Sequence, residues 1–419
     1  MFETALLDDA RAEIAKIKSA DIVIGIPSYR NARTINSVVR NSVQAILEHY
    51  PRKRTVLVNV DANSSDGTAS TFMRLRLPPE ILRFTTGYQG LTGHGSAVRA
   101  IFEVAAKLKA EACVVLEASL ADVRPSDVQA ILAPILHERI HLALPMHQWN
   151  EVDAAFEDLL IYPLIRLMYG RRIRRPLSGD WALSGRLALA YSEQDVWETD
   201  AARSGLDIWL LVTALASNVP MVQVPSCRKS TTLVFGTTAY EQRFSHTVST
   251  LMRHLGTHQR LWRNVTKAED VAAHGVPPPV LPASEKPVEQ FWRAFLHGMR
   301  AWRRLFKRIL RPEDHEALQQ MTKTTPDSLY FPDDLWARIV LDFGVCFNKA
   351  ELDPDKVAAS LATPFYARCL AFWNSLQRDG MQMYETAIEQ QSQAFEQNRD
   401  YLLDRWDTYV AWAPDAPVR

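Results

Sequence analysis

ACVVLEASLADVRPS, residues 112–126, runs apolar residues into an acidic one, Glu117, and then turns toward a helix that begins near Ser126. An apolar run closed by a carboxylate and a turn is how a buried strand delivers that carboxylate to the rim of a parallel sheet. The pattern recurs on working outward. DIVIGI (21–26) is apolar and β-branched, and the following NARTINSVVRNSVQAILEHY (31–50) sets Ile35, Val38, Val39, Val43 and Ile46 at helical spacing. TVLVNVD (55–61) reads as a second strand closed by NSSDGT, and a helix is expected over about 95–109, ahead of the opening stretch. Three strand–loop–helix units in a row predict an α/β fold, a parallel sheet with helices on both faces. Such sheets bind ligands beyond the carboxyl ends of their strands, where the strand order reverses. Those ends are Pro27-Ser28-Tyr29-Arg30, Asp61-Ala62-Asn63 and Glu117-Ala118-Ser119, which one edge would collect.

Past residue 141 the pattern is mixed. HLALPM (141–146) reads as a strand, FEDLLIYPLIRLMYG (156–170) as a helix, and RRPLSGDWALSGRLAL (174–189) as a loop entering a helix. LDIWLLVTALA (206–216) reads as a helix and PMVQVP (220–225) as a short strand. The Pro- and Ala-rich stretch 265–288 breaks the pattern and is the linker candidate. Everything after it reads as helix, over 288–311, 314–323, 333–347, 354–378 and 380–409. The expected division is an α/β domain over 1–264, a linker over 265–287 and a helical domain over 288–419.

Composition narrows the class of function. A chain of 419 residues exceeds one ordinary core, and 47% hydrophobic with 23% charged residues describes a globular protein. Lys+Arg and Asp+Glu both total 48, so no global field draws the chain toward nucleic acid. Cys113, Cys227, Cys346 and Cys369 match no zinc or redox spacing and are expected to be reduced thiols in a cytoplasmic protein. FETALLDDARAEIAKIKSA (2–20) is polar and amphipathic rather than a secretory signal, and no apolar run approaches the roughly 20 residues that span a bilayer.

At the sheet edge, Asp61 is placed to accept hydrogen bonds from a base or ribose. The NSSDGT that follows it is also a good tight turn before a helix. GYQGLTGHGSAVRAIFEVA (87–105) sets four glycines just before a helix, where backbone N–H groups can face a phosphate. His94 within it reads either as a diphosphate contact or as a loop-surface residue.

In chain order, IGIPSYRNARTI (24–35), VNVDANSSDGT (58–68), GLTGHGSAVRAIFE (90–103), VVLEASLADVRPSDV (114–128), RPLSGDWALSG (175–185) and SGLDIW (204–209) resemble the GT-A glycosyltransferases. The likeness is to the retaining branch that includes mannosylglycerate synthase and glucosyl-3-phosphoglycerate synthase. It covers roughly residues 20–240, and the helical tail is similar to that of mannosylglycerate synthase over 333–347 and 362–374. The resemblance implies a GT-A mixed sheet with helices on both faces, followed by an all-helical C-terminal region. It also implies transfer of mannose or glucose, with retention, from a UDP- or GDP-sugar to a small hydroxy acid such as glycerate or phosphoglycerate. Carried over position by position, Pro27, Tyr29 and Arg30 would flank the nucleobase, Asp61 would read the nucleoside, and His94 would meet the donor. Glu117 and Ser119 would stand at the corner that binds Mg²⁺ or Mn²⁺. Leu177, Ser178, Gly179 and Asp180 would line the sugar pocket, and Asp207 would sit by the reaction centre, with Asp180 and Asp207 as the catalytic positioning groups. Read without the resemblance, Asp207 is a helix N-cap for the residues after it. The resemblance further implies a homodimer.

The sequence departs from that branch at three linked places. The lysine of its glycine loop is His94, its Asp-x-Asp is Glu117-Ala118-Ser119, and the loop SCRKSTTLVFG (226–236) lacks the branch's metal-ligand histidine. Glu117 is the one metal ligand left, and a glutamate beside a neutral hydroxyl holds Mg²⁺ or Mn²⁺ weakly. Asp122 is offset by five residues from the pattern. Arg228 and Lys229 in that loop, and RRIRRP (171–176), supply cations that can grip phosphate without a metal; for RRIRRP the plain alternative is a solvated turn. Three readings stay open: a transferase independent of metal, one that uses metal through unusual ligands, and a silent GT-A-like protein that binds a sugar nucleotide or a partner.

FWRAFLHGMRAWRRLFKRILRP (291–312) carries Trp292, Phe295, Met299, Trp302, Phe306 and Ile309 on one stripe. Seven cations and no acid accompany it. Such a helix suits an anionic membrane surface, which would make the chain a membrane-associated transferase with a lipid or polysaccharide acceptor. The favoured reading packs the stripe on the α/β domain or a partner subunit, the cations pairing with acids around 313–316 and 333–334. Neither a membrane surface nor a nucleic acid is an expected partner.

Overall fold

A computed structural model of the chain describes residues 3–229 and 235–412. The part of SCRKSTTLVFG spanning 230–234 lies outside the described residues. The chain forms two compact units that interleave along the sequence. One comprises Met1–Trp149, Pro176–Thr232 and Val271–Pro279, the other Asn150–Arg175, Leu233–Asp270 and Val280–Arg419. The division is therefore not a single cut at 265–287, and that stretch is not a bare linker, because Ala272–Ala273 pairs into the large sheet of the first unit.

The first unit is built on eight strands: β1 Ile22–Ser28, β2 Thr55–Asp61, β3 Ile81–Thr86, β4 Ala112–Val115, β5 Leu142–Gln148, β6 Trp181–Ser184, β7 Met221–Arg228 and β8 Ala272–Ala273. Their order is β8-β7-β5-β6-β4-β1-β2-β3. β1 pairs in parallel with both β2 and β4, so the strand order reverses there. β6 runs antiparallel to both β4 and β5, which makes the sheet mixed. Besides Ala272–Ala273, two strands escape the sequence pattern. ILRFTT has only three buried positions of six, as an edge strand does, and WALS is four residues inside what reads as a loop. β1 is buried along its whole length, and Ile24, Ile26, Val38, Val39, Leu57 and Val114 belong to the core between the sheet and its flanking helices.

The helix His94–Lys107 rests on β1 at Gly25. A Cβ at that position would lie 2.2 Å from Ile101 Cγ2. Glycine is present because the helix comes that close, and the approach helps set where the N-terminal end of the helix meets the sheet edge.

The second unit is helical: Thr238–Thr257, Val288–Ala301, Arg303–Ile309, Pro312–Met321, Asp333–Lys349, Pro354–Ser360, Ala362–Asp379, Tyr384–Gln397 and Arg399–Asp407, with Tyr162–Tyr169 entering through a π turn at Glu157–Ile161. The wider turn frees backbone acceptors. Leu159 O takes Trp336 Nε1–H at 2.8 Å and Gln391 Nε2–H at 3.2 Å. The stripe of 291–309 packs within this unit. Phe291 and Trp373 lie edge to face at 5.1 Å, and Phe306 and Phe343 at 5.9 Å.

Gly25→Val is expected to lower unfolding free energy by about 3 kcal/mol through overpacking against Ile101. In an Ile101→Ala background the same substitution should cost measurably less in urea titration; equal cost in both backgrounds would refute the close-approach account.

Candidate functional site

The opening stretch ends at a corner assembled from four strand ends. Glu117 lies two residues past β4, and its backbone N–H donates to Asp180 Oδ1 at 2.7 Å. Asp180 directly precedes β6, and the register of Val115 opposite Trp181 brings it to that spot. Gly179 has φ +74°, and a Cβ there would lie 2.3 Å from Glu117 Oε1, so the turn and the carboxylate admit only glycine. Ser178 Oγ closes the turn by donating to Asp180 O at 3.0 Å.

Lys229 follows β7, anchored by its N–H to Gln148 O at 3.1 Å. Its ammonium lies 2.5 Å from Asp180 Oδ2 and 2.9 Å from Glu117 Oε2, and also donates to the Ser178 carbonyl. An ammonium has three N–H donors and here meets three acceptors. His147, at the end of β5, points Nε2 at Asp180 Oδ2 (3.1 Å) and Nδ1 at Cys227 O (3.2 Å). Two carboxylates thus share one ammonium, with the edge of the His147 imidazole against Asp180.

The electrostatics follow from burial set against these partners. Burial pushes the Asp180 carboxyl up, but Lys229 and His147 outweigh it and hold the group at about 2. Burial likewise raises Glu117, and Lys229, with His94 assisting, leaves it below its ordinary value. Lys229 is lowered by burial and raised further by Asp180 and Glu117, so it stays charged. Burial pushes the Cys227 thiol up to about 12, so it is no nucleophile at neutral pH.

A divalent cation does not fit this corner as built. Lys229 stands between the two carboxylates, and Ser119 Oγ donates to Glu117 Oε2 at 3.2 Å, which leaves the hydroxyl turned toward that carboxylate. Among the described residues no group of three or more His, Cys, Asp or Glu side chains is placed to hold a metal.

Other expected residues divide between the edge and plain structure. Pro27 is buried in β1, while Tyr29 is 57% exposed with the Arg30 guanidinium 5.3 Å from its ring centroid. Asp61 accepts from Ser28 Oγ at 2.8 Å and from Ser64 N and Oγ at 2.7 and 2.8 Å, which fixes its own loop. Asp66 holds Thr68 and Ala32, so the DGT turn serves to join two loops. Thr34 Oγ1 donates to Ala118 O at 2.6 Å and ties the Tyr29–Arg30 loop to the Glu117 loop. His94 reaches the corner, its ring 6.2 Å from that of Trp181. The glycines beside it do not form a phosphate cradle: Gly93 N–H is taken by Tyr88 Oη and Gly95 N–H by Arg203 O. A Cβ at Gly95 would lie 2.1 Å from Ala201 O, so close backbone packing explains the residue. Leu177 is buried at 2% exposure. Asp207 is in the first turn of the helix Leu206–Ala216, whose N-cap is Gly205, so it is not the cap.

The arginines of RRIRRP are engaged by acids of the helical unit. Arg171 and Arg172 pair with Glu269 and Asp270, and Arg174 with Asp158 and Glu385, within the helical unit. His147 escaped the sequence reading. Its only signal was a histidine closing the apolar run of β5 on the same edge as Glu117.

Asp180→Asn should cost about 3 kcal/mol or more at pH 7, because it strips a partner from a buried ammonium. Asp180 has a folded value below its ordinary 3.8, so its contribution is full above that pH and is lost as pH falls through about 2. Urea midpoints measured from pH 5 to pH 2 should show a loss of about 2 kcal/mol that the Asn variant lacks. Parallel pH curves for the two proteins would refute the ion cluster.

No family model and no curated protein matches the sequence. Among solved structures, the chain is similar to glucosyl-3-phosphoglycerate synthase from Mycobacterium tuberculosis in complex with Mn²⁺, UDP and glucosyl-3-phosphoglycerate. That match has 17% identity and a TM-score of 0.43, covering 59% of this chain and 83% of that one. It is also similar to mannosyl-3-phosphoglycerate synthase from Rubrobacter xylanophilus, with 19% identity and a TM-score of 0.44, covering 61% of this chain and 79% of that one. Likeness of this extent assigns no activity to the chain.

Proposed function

We propose that the chain is a nucleotide-sugar-dependent hexosyltransferase whose diphosphate corner carries a tethered lysine cation in place of a divalent metal. The observation that carries this reading is the Lys229 ammonium seated on Glu117 and Asp180, with His147 behind Asp180. The order of motifs from IGIPSYR to SGLDIW supports the transferase class, and the donor is then a UDP- or GDP-linked mannose or glucose. The acceptor is a small hydroxy acid such as glycerate or phosphoglycerate. In the proposed reaction the bond from the anomeric carbon to the diphosphate oxygen breaks as the acceptor hydroxyl oxygen bonds the same face of that carbon. The hydroxyl proton leaves to the departing phosphate oxygen. No covalent sugar–enzyme intermediate is needed, so the chain's task is to position groups and balance charge. Tyr29 and Asp61 lie at the nucleoside side, Asp180 holds the corner, and Asp207 positions the acceptor.

A second reading rests on one specific feature. All three N–H donors of Lys229 are engaged by protein acceptors, which leaves none for a phosphate oxygen. A protein that binds a sugar nucleotide without transferring the sugar also fits that arrangement.

Calorimetric titration with UDP and GDP separates these readings from a metal-dependent one. Binding of one nucleotide with affinity unchanged between EDTA and excess Mn²⁺ is the expected result. A tenfold or greater gain on adding metal would overturn the tethered-cation account, and no binding of either nucleotide would overturn both readings. Transfer from UDP-glucose or GDP-mannose to glycerate or 3-phosphoglycerate then decides between them: glycoside product in EDTA supports the transferase, and nucleotide binding without product supports the silent protein.

A further inference from the structure

The apolar side of 288–309 is spent inside the helical unit, with Phe291, Phe295, Phe306 and Ile309 all at 3% exposure or less. What remains outside is charge. Arg300, Arg303, Arg304 and Lys307 are exposed; the last three share one side of the helix Arg303–Ile309, and Arg300 lies in the last turn of the helix before it. Among the described residues none of the four has an ion-pair partner, although acids stand close by in sequence. Glu313 is taken by Arg311, Asp314 and Asp334 by Arg338, and Asp333 by Arg368. The expected pairing of these cations with acids around 313–316 and 333–334 is therefore corrected; of the series only Arg311 is so engaged. Arg308, half-buried beside them, has a buried Nε without a hydrogen-bond partner. His315 registers the local field: burial pushes it below its ordinary range, and Lys307 and Arg303 add to the shift.

From Arg300 to Lys307 the row spans roughly 10 Å, comparable with the screening length at physiological salt, so the four charges act together. A neutral chain that leaves such a row unmatched presents a surface for an anionic partner. Between polyanions, the residue at the bend decides. Trp302 is half-exposed among the arginines, between the helices Val288–Ala301 and Arg303–Ile309. Tryptophan flanked by cations suits the headgroup layer of a bilayer, where the ring is half wet and the cations meet lipid phosphates and carboxylates. Single-stranded nucleic acid calls for several exposed rings to stack its bases, and no large hydrophobic side chain of 288–311 is fully exposed.

We infer that Arg300, Arg303, Arg304 and Lys307, with Trp302, form a peripheral docking face for an anionic lipid surface, bound by charge at the headgroups and not by insertion of the helix. A contribution of about fivefold per cation gives several-hundred-fold enrichment for four at low ionic strength.

The test is co-sedimentation of the full chain with phosphatidylcholine vesicles, with and without phosphatidylserine. The expected result is binding that requires phosphatidylserine, weakens as salt rises, and falls at least a hundredfold in the variant carrying Arg300→Gln, Arg303→Gln, Arg304→Gln and Lys307→Gln. Because these side chains are exposed, that variant should keep the wild-type circular dichroism and melting temperature. Trp302→Ala should weaken binding by about fivefold, with blue-shifted tryptophan emission lost on vesicle addition. Equal affinity for both vesicle types, or full binding by the quadruple variant, would overturn the proposal. Binding to duplex DNA or poly(U) with vesicles ignored would assign the row to nucleic acid and overturn it equally.

Discussion

Two carboxylates brought together at a half-buried sheet edge repel one another, and the first unit has to solve that problem before it can close. Glu117 and Asp180 share Lys229, which sits within 3 Å of both. At an effective dielectric of about 20, two like charges roughly 5 Å apart cost about 3 kcal/mol, comparable with a large share of a domain's net stability. Protonating one carboxyl, recruiting a divalent ion or tethering a cation would each remove the cost. The chain tethers, and much of the local architecture follows. β6 must run antiparallel to bring Asp180 beside Glu117, Gly179 must turn without a side chain, and the ends of β5 and β7 must meet so that Lys229 and His147 arrive together.

How much of this was legible depends on whether the deciding partner was local. The parallel strands were readable because burial on both faces leaves unbroken Val and Ile runs such as VLVNV. β6 was not, since four residues between a glycine turn and a helix carry no periodicity, and its antiparallel direction is a property of the sheet. Glu117 and Asp180 stood out as acids at turns, and Lys229 as one of two cations in a loop. Which of the two would reach the carboxylates was invisible. Residue 229 lies 49 positions from Asp180, and only the β5–β7 register turns it inward while Arg228 stays exposed.

Charge was misread for the same reason. RRIRRP looks like an open phosphate grip because its neutralising acids, Asp158 and Glu385, lie far off in sequence. The row from Arg300 to Lys307 shows the converse. Acids stand next to it in sequence, but helix geometry assigns them to Arg311, Arg338 and Arg368. A count of charges in a window measures composition; only the fold decides which charges are cancelled.

A tethered cation also changes what kind of site this edge can be. A bound metal carries open coordination positions to its ligand and can be removed, so binding, catalysis and folding separate experimentally. An ammonium with three protein acceptors has no open position and cannot dissociate. The corner's cation is then independent of ion supply, and any phosphate that docks must find its donors on neighbouring groups. It also ties function to stability. Removing Lys229 would leave two buried-edge carboxylates facing each other, so a loss of ligand binding in such a variant could come from unfolding alone. The informative comparison is therefore in the intact protein, with and without free metal, where the corner's charge is already set by residues that cannot leave.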